Sequence, residues 1–190
     1  MPLETTPKPK KQLACALNFG RPIQLREELA EAVATYVATV AQRLRHQHSL
    51  AASLTVFIQT SRFQANAPQY VSSSSTAILF PIAFTPDLIA EALQLLREIF
   101  RPGYLYRKAG VLLGKIVSQD TLQGDLFDLF SLELHEKKAR LMEAVDQINE
   151  TWGNNTLFFG SQGIHRDWKM RQARRSPRFT TQWNELFAVT

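Results

Sequence analysis

The sequence contains a single cysteine, Cys15, so no disulfide can form within the chain, and the composition suits a reducing cytosol. No apolar run approaches the ~20 residues that span a bilayer, and no membrane partner is expected. Residues 1–11 are rich in proline and lysine and lack the apolar stretch of a secretory signal. There is no glycine-rich phosphate loop. The histidines are His46, His48, His135 and His165. His46 and His48 are two apart at a helix end and so face different ways, which disfavours a shared metal. Cys15 falls in a strand pattern and reads as a small core residue rather than a nucleophile. No catalytic constellation, metal site or cofactor is expected.

What is present is a globular composition, 45% hydrophobic over 190 residues, enough for one large domain or two small ones. The net charge is +5 and unevenly spread. Residues 1–118 carry +6, residues 119–150 carry −5 and residues 151–190 carry +4. Blocks of opposite sign suit segments with different partners, and the first block suits an anionic one. A mildly basic soluble protein would show the same total.

Periodicity places the elements. Residues 1–10 read as a Pro/Lys linker. Lys11 to Asn18 is a strand, ended by a turn at Phe19-Gly20-Arg21-Pro22. Leu25, Leu29, Val33, Tyr36, Val37, Val40 and Leu44 form the stripe of a helix to His46. Leu54–Thr60 and Thr76–Phe84 alternate as strands, with the serine run Ser72–Ser75 in the loop between them. Asp87 to Phe100 is a second helix, capped by Thr85 with Pro86 at its first position. Tyr104 to Val117 is a last strand, with Gly110 as a possible bulge. The order β-α-β-β-α-β over residues 11–118 is the ferredoxin-like arrangement, α+β, with a four-stranded antiparallel sheet and two helices on one face. The other sheet face is left free, and basic and hydroxyl side chains there would suit nucleic acid. A loop over 119–133 precedes a third helix, Leu134 to Glu150, whose stripe is Leu134, Leu141, Met142, Val145 and Ile148. A turn follows at Trp152–Asn155, then a short strand over Thr156–Phe159. Residues 160–190 show little periodicity, so 134–190 reads as a small helical and irregular C-terminal domain.

Two segments carry recognition chemistry. In Gln123-Gly124-Asp125-Leu126-Phe127 two large apolar side chains sit in a polar, acidic loop. The glutamine amide suits a polar pocket, and Leu126 and Phe127 an apolar cleft on a partner. The same residues could tuck against their own domain. From His165 to Phe179 cations and aromatics interleave, which fits either phosphates and bases or an acidic protein surface.

Taken together these segments resemble the C-terminal region of the UmuC-type, Y-family translesion DNA polymerases. Leu17-Asn18-Phe19-Gly20-Arg21-Pro22 resembles the SRSFGRP opening of that family's little-finger domain, with Leu-Asn in place of Arg-Ser. Leu54 to Thr60 followed by Phe63, and Arg101-Pro102-Gly103-Tyr104 through Tyr106 to Val111, resemble its inner strands. Gln123 to Phe127 resembles the QLDLF sliding-clamp motif, with Gly124 for leucine. Ser176 to Trp183 with Glu185-Leu186, and Gly163 with Trp168 to Arg171, resemble the terminal domain DUF4113. The resemblance runs from about residue 9 onward.

It implies a bacterial, cytoplasmic, nucleoid-associated protein of SOS DNA repair. The family's palm, with its metal-binding carboxylates, would lie before Met1, so the chain is expected to bind rather than catalyse. The expected ligand is damaged or primer–template DNA, gripped through phosphates by Arg21, Arg62, Ser73, Ser74, Thr76, Arg107, Lys108 and Lys115. The β sliding clamp would engage Gln123, Asp125, Leu126 and Phe127. UmuD′ or RecA would dock at Arg174, Arg175, Arg178 and Trp183. The alternative is a protein-interaction module that docks a separate polymerase catalytic chain and touches little DNA itself.

Overall fold

The computed structural model describes residues 9–63, 67–121, 132–170, 176, 177 and 186. Strands β1 (Leu13–Ile23), β2 (Ser49–Thr60), β3 (Val71–Ile82) and β4 (Tyr106–Ser118) form one antiparallel sheet in the order β1-β4-β2-β3. Helices α1 (Arg26–His46) and α2 (Thr85–Ile99) cover one face of it. The α+β arrangement expected from the sequence, β-α-β-β-α-β with a four-stranded antiparallel sheet and two helices on one face, is the one observed. Helix α3 (Leu132–Trp152) follows.

The core forms where the two periodicities meet. Leu29, Val33, Val37, Val40 and Leu44 of α1 and Leu88, Ala92 and Leu96 of α2 are buried against Leu54, Val56 and Ile58 of β2 and Val111 and Leu113 of β4. Leu25, at the end of the predicted α1 stripe, is 60% exposed because it precedes the first helical turn.

Several assignments differ from the sequence reading. The Phe19–Pro22 segment is strand rather than turn. β1 runs on to Ile23 with a register shift after Asn18, and Pro22, which has no N–H to give, is tolerated because β1 is an edge strand. Ser72–Ser75 is not a loop but lies inside β3, paired with Ile58 to Thr55. A serine cluster signals a turn locally, but pairing along the apolar β2 overrides it, and the polar side chains suit an exposed edge. Thr85 is not the cap of α2. Phe84 holds that position without a side-chain bond, while the buried Thr85 hydroxyl accepts a hydrogen bond from Arg45 Nη1 at 2.9 Å. Thr156–Phe159 is not a strand but a turn and irregular chain leading into a short 3-10 turn at Gly160–Gln162.

The chain beyond α3 joins the same core. Trp168 is buried and packs edge-on against Phe19 and Tyr36, at 6.2 and 5.9 Å between ring centres. Gly20 N–H donates to the Trp168 carbonyl at 2.9 Å. A methyl group on Gly20 would lie 2.7 Å from the Lys169 carbonyl oxygen, so only glycine lets the two backbones approach this closely. Burial pushes the Tyr36 phenol well above its ordinary pKa. Neither the Tyr36 hydroxyl nor the Trp168 indole N–H has a hydrogen-bond partner among the described residues.

α3 is held differently. Arg45 donates to both Asp146 carboxylate oxygens, at 2.6 and 2.8 Å, and also to the Ala83 carbonyl and to Thr85. Lys138 pairs with Asp87 at 2.5 Å and His46 with Glu150 at 3.3 Å. Of the predicted α3 stripe, Met142 is buried, but Leu134, Leu141 and Ile148 are exposed. The helix docks along a narrow, mostly polar seam rather than along the expected apolar face.

Candidate nucleic-acid interface

Residues in register across a sheet share a face. On β2, Thr55, Phe57 and Gln59 alternate with the buried Leu54, Val56 and Ile58, so they point away from the helices. Their partners do too. Gln59 pairs with Lys108 and Val71, Phe57 with Gly110 and Ser73, and Thr55 with Leu112 and Ser75. Asn18, Ala16 and Ala14 on β1 continue the three rows. The open face is therefore shallow and rich in small and hydroxyl side chains. A Thr55–Ser75 hydroxyl contact at 2.9 Å crosses it.

Gly110 pairs regularly on both sides and is not a bulge. A Cβ there would lie 2.3 Å from the Phe57 ring, so glycine makes room for the ring to lie across β4. Lys108 Nζ stands 6.0 Å from the centre of that ring, a cation–π distance. The β-bulge falls instead at Arg107, where pairing with both neighbours shifts between Tyr106 and Lys108. A bulge turns one side chain out of the alternation.

The four strands contain Arg21, Arg107, Lys108 and Lys115 but no aspartate or glutamate. At one end of the sheet, where β2 stops and β3 and β4 begin, Arg62 and Arg101 join Arg107 and Lys108. None of these four makes an ion pair among the described residues. The end stands on an aromatic cluster of Tyr70, Phe100, Tyr104 and Tyr106. The Tyr106 hydroxyl accepts from Arg101 N–H at 2.9 Å and donates to the Arg101 carbonyl at 2.8 Å, which clamps the loop carrying Arg101. Burial raises the Tyr106 pKa, so the phenol stays a neutral clamp at neutral pH.

The predicted phosphate contacts thus separate. Arg62, Arg107 and Lys108 gather at the cationic end, and Ser73 lies on the open face. Ser74 and Thr76 are in register with Ile58's neighbour Val56 and with Leu54, on the helix side, and the Ser74 hydroxyl donates to Glu98 at 2.8 Å. Arg21 is engaged by the Glu28 carboxylate through both terminal nitrogens. That bond raises its pKa, with Asp167 adding a smaller push. Lys115 is exposed, near the far end of β4, in the left-handed region at φ 47. Gln123, Asp125, Leu126 and Phe127, and Arg174, Arg175, Arg178 and Trp183, lie outside the described residues.

Arg101, part of a motif of the family resemblance, was not among the expected phosphate contacts, because a loop arginine shows its neighbours only once the strand ends are aligned. The absence of carboxylates from all four strands is readable from the sequence once the strands are known. Among the described residues no three His, Cys, Asp or Glu side chains are placed to hold a metal ion, and no helix is long and apolar enough to cross a membrane.

Comparison with known proteins places the chain. Residues 10–126 match the impB/mucB/samB family C-terminal domain, and residues 139–189 match DUF4113, a domain of unknown function. The chain is 36% identical to Protein UmuC of Salmonella typhimurium over 98% of its own length and 44% of that protein's. It is 32% identical to Protein SamB of Salmonella typhimurium, over 98% of its own length and 43% of that protein's. It therefore spans less than half the length of these curated relatives. Among solved structures, the insertion ternary complex of Dbh DNA polymerase aligns with a TM-score of 0.47 at 14% identity, over 56% of this chain and 29% of that one. DinB from Sulfolobus solfataricus aligns with 0.46 at 15%, over 56% and 29%. The order of the little-finger and terminal motifs, the α+β sheet and the two matched domains agree, and the chain belongs to the impB/mucB/samB family, the UmuC-related family that its motifs resemble.

Proposed function

We propose that this chain is the DNA-gripping and clamp-tethering part of a UmuC-type translesion polymerase, and that it binds without performing nucleotidyl transfer itself. The observation that carries the reading is the sheet, with no carboxylate in any strand and, at one end, four cations that make no ion pair among the described residues. A duplex laid along this platform meets hydroxyls, small side chains, cations and the apolar Phe57, Leu112 and Val71, and no carboxylate of any strand. Arg62, Arg101, Arg107 and Lys108 neutralise phosphates, and Ser73, Ser75 and Gln59 offer hydrogen bonds. None of these contacts needs to read a base, so binding is independent of sequence. The resemblance to the UmuC-type polymerases supplies the repair context, and the motif Gln123–Phe127 is read as the tether.

The test is direct. The purified chain should retard duplexes of unrelated sequence equally, with an affinity that falls steeply as salt rises. Replacing Gln123, Leu126 and Phe127 together by alanine should abolish capture by the β clamp and leave DNA affinity unchanged. Unaltered clamp retention would reject the tether.

A second reading, a module that docks a separate catalytic chain, UmuD′ or RecA, is favoured by one observation. Leu141, Ile148, Trp152 and Ile164 are exposed apolar side chains on and after α3, as at protein-binding patches. Arg174, Arg175, Arg178 and Trp183 would contribute to such a surface. Co-purification with a palm-containing polypeptide, together with weak DNA affinity, would support this reading over the first.

A further inference from the structure

The cationic end carries one side chain that phosphate binding does not explain. Phe63 is 97% exposed, the highest value among the described large apolar residues, and it follows Arg62 just beyond the end of β2. The chain there is braced from below. Thr60 N–H donates to the Tyr70 carbonyl at 2.9 Å, and Tyr70 N–H donates to the Thr60 hydroxyl at 2.9 Å. Gln69 Nε2 donates to the Arg62 carbonyl at 3.3 Å, and Phe63 N–H to the Ser61 hydroxyl at 3.3 Å. Arg62, on the same turn, makes no ion pair among the described residues. The ring is therefore carried into solvent just beyond β2, next to a cation that has no ion pair among the described residues.

We propose that Phe63 stacks on an unpaired nucleobase where single-stranded DNA adjoins the duplex held by the sheet, with Arg62 on the neighbouring phosphate. The chemistry that fits an isolated, fully exposed aromatic beside cations is the face of an unstacked base, which any base presents. A base inside an intact duplex offers no such face, and an apolar protein cleft would gain nothing from the neighbouring arginine cations. The inference rests on the DNA-binding reading above and adds to it a preference for junctions over plain duplex.

The experiment compares a blunt duplex with a primer–template whose overhang carries 2-aminopurine at the first unpaired position. Wild type, Phe63→Ala and Phe63→Trp are titrated on both. Wild type should bind the junction more tightly than the blunt duplex and change the 2-aminopurine fluorescence. Phe63→Ala should lose about tenfold on the junction, within the range for base–aromatic stacking, and nothing on the blunt duplex, while Phe63→Trp should retain the junction preference. Equal binding of both substrates by wild type, or an equal loss on both in Phe63→Ala, would overturn the stacking role. If wild type binds neither substrate, the DNA-binding reading fails, and the stacking role fails with it.

Discussion

The two ends of the sheet are built from the same strands and present opposite surfaces. Where β2 stops and β4 starts, cations with no ion pair among the described residues stand on a cluster of aromatic rings, and the loop that carries Arg101 is clamped through Tyr106. At the other end, α3 lies across a cleft of about 900 Å³ lined by Leu50, Phe80, Ile82, Phe84 and Met142. There Arg45 pairs with Asp146, Lys138 with Asp87 and His46 with Glu150, and the apolar side chains Leu141 and Trp152 face solvent. Charge left unpaired on a rigid base suits a charged ligand. Charge consumed in fastening a helix does not, and what that helix leaves exposed is apolar. The difference explains how a chain with a net charge of only +5 can present a strongly cationic surface.

The largest expected effect tests whether the chain after α3 belongs to the sheet body. Trp168→Ala should destabilise the whole chain by about 3–5 kcal/mol, as for other large aromatic truncations in cores. In urea unfolding the sheet and the terminal chain should go together. A small change confined to the terminal chain would separate the two regions. Next, Asp146→Ala leaves Arg45 half-buried without its carboxylate and should loosen α3 by about 2 kcal/mol. Amide exchange should rise in α3 and stay slow in β2 and β4.

Gly110→Ala tests the open face from the inside. The added methyl meets the Phe57 ring and the Ala16 side chain, and a cost of about 1–3 kcal/mol follows from overpacking. Thermal denaturation should show it, and Phe57→Ala in the same chain should relieve most of it.

The smallest effects separate the cations. Replacing Arg107 or Lys108 by alanine should each lower the slope of log affinity against log salt by about one with little change in stability. Arg21→Ala should change the slope far less, because Glu28 already engages that guanidinium.

The fold was legible because its periodicities are strong. The α1 stripe from Leu29 to Leu44 and the alternation in Leu54–Thr60 admit one reading each. The misplaced boundaries lie where local and tertiary signals conflict. Gly20 and Pro22 look like a turn until Trp168 is seen against Phe19, and Ser72–Ser75 look like a loop until β2 pairs with them. The α3 stripe was misread for a related reason. Its leucines have helical spacing, but Arg45 and Asp87 fasten the neighbouring face instead. At the interface, Arg62, Arg107 and Lys108 were visible as basic residues near strand ends. Their convergence with Arg101, the pairing of Arg21 with Glu28 and the opposite facing of Ser73 and Ser74 depend on register and packing, which no single segment reveals.

One titration tests the contrast between the ends most directly. Two double variants remove the same charge, Arg107→Ala/Lys108→Ala at the cationic end and Lys137→Ala/Arg140→Ala on α3. With a duplex of arbitrary sequence over a range of salt, the first should lower the salt slope by about two and weaken binding, and the second should leave both unchanged. Equal effects from the two variants, or a wild-type affinity that does not respond to salt, would contradict the assignment of DNA binding to the sheet.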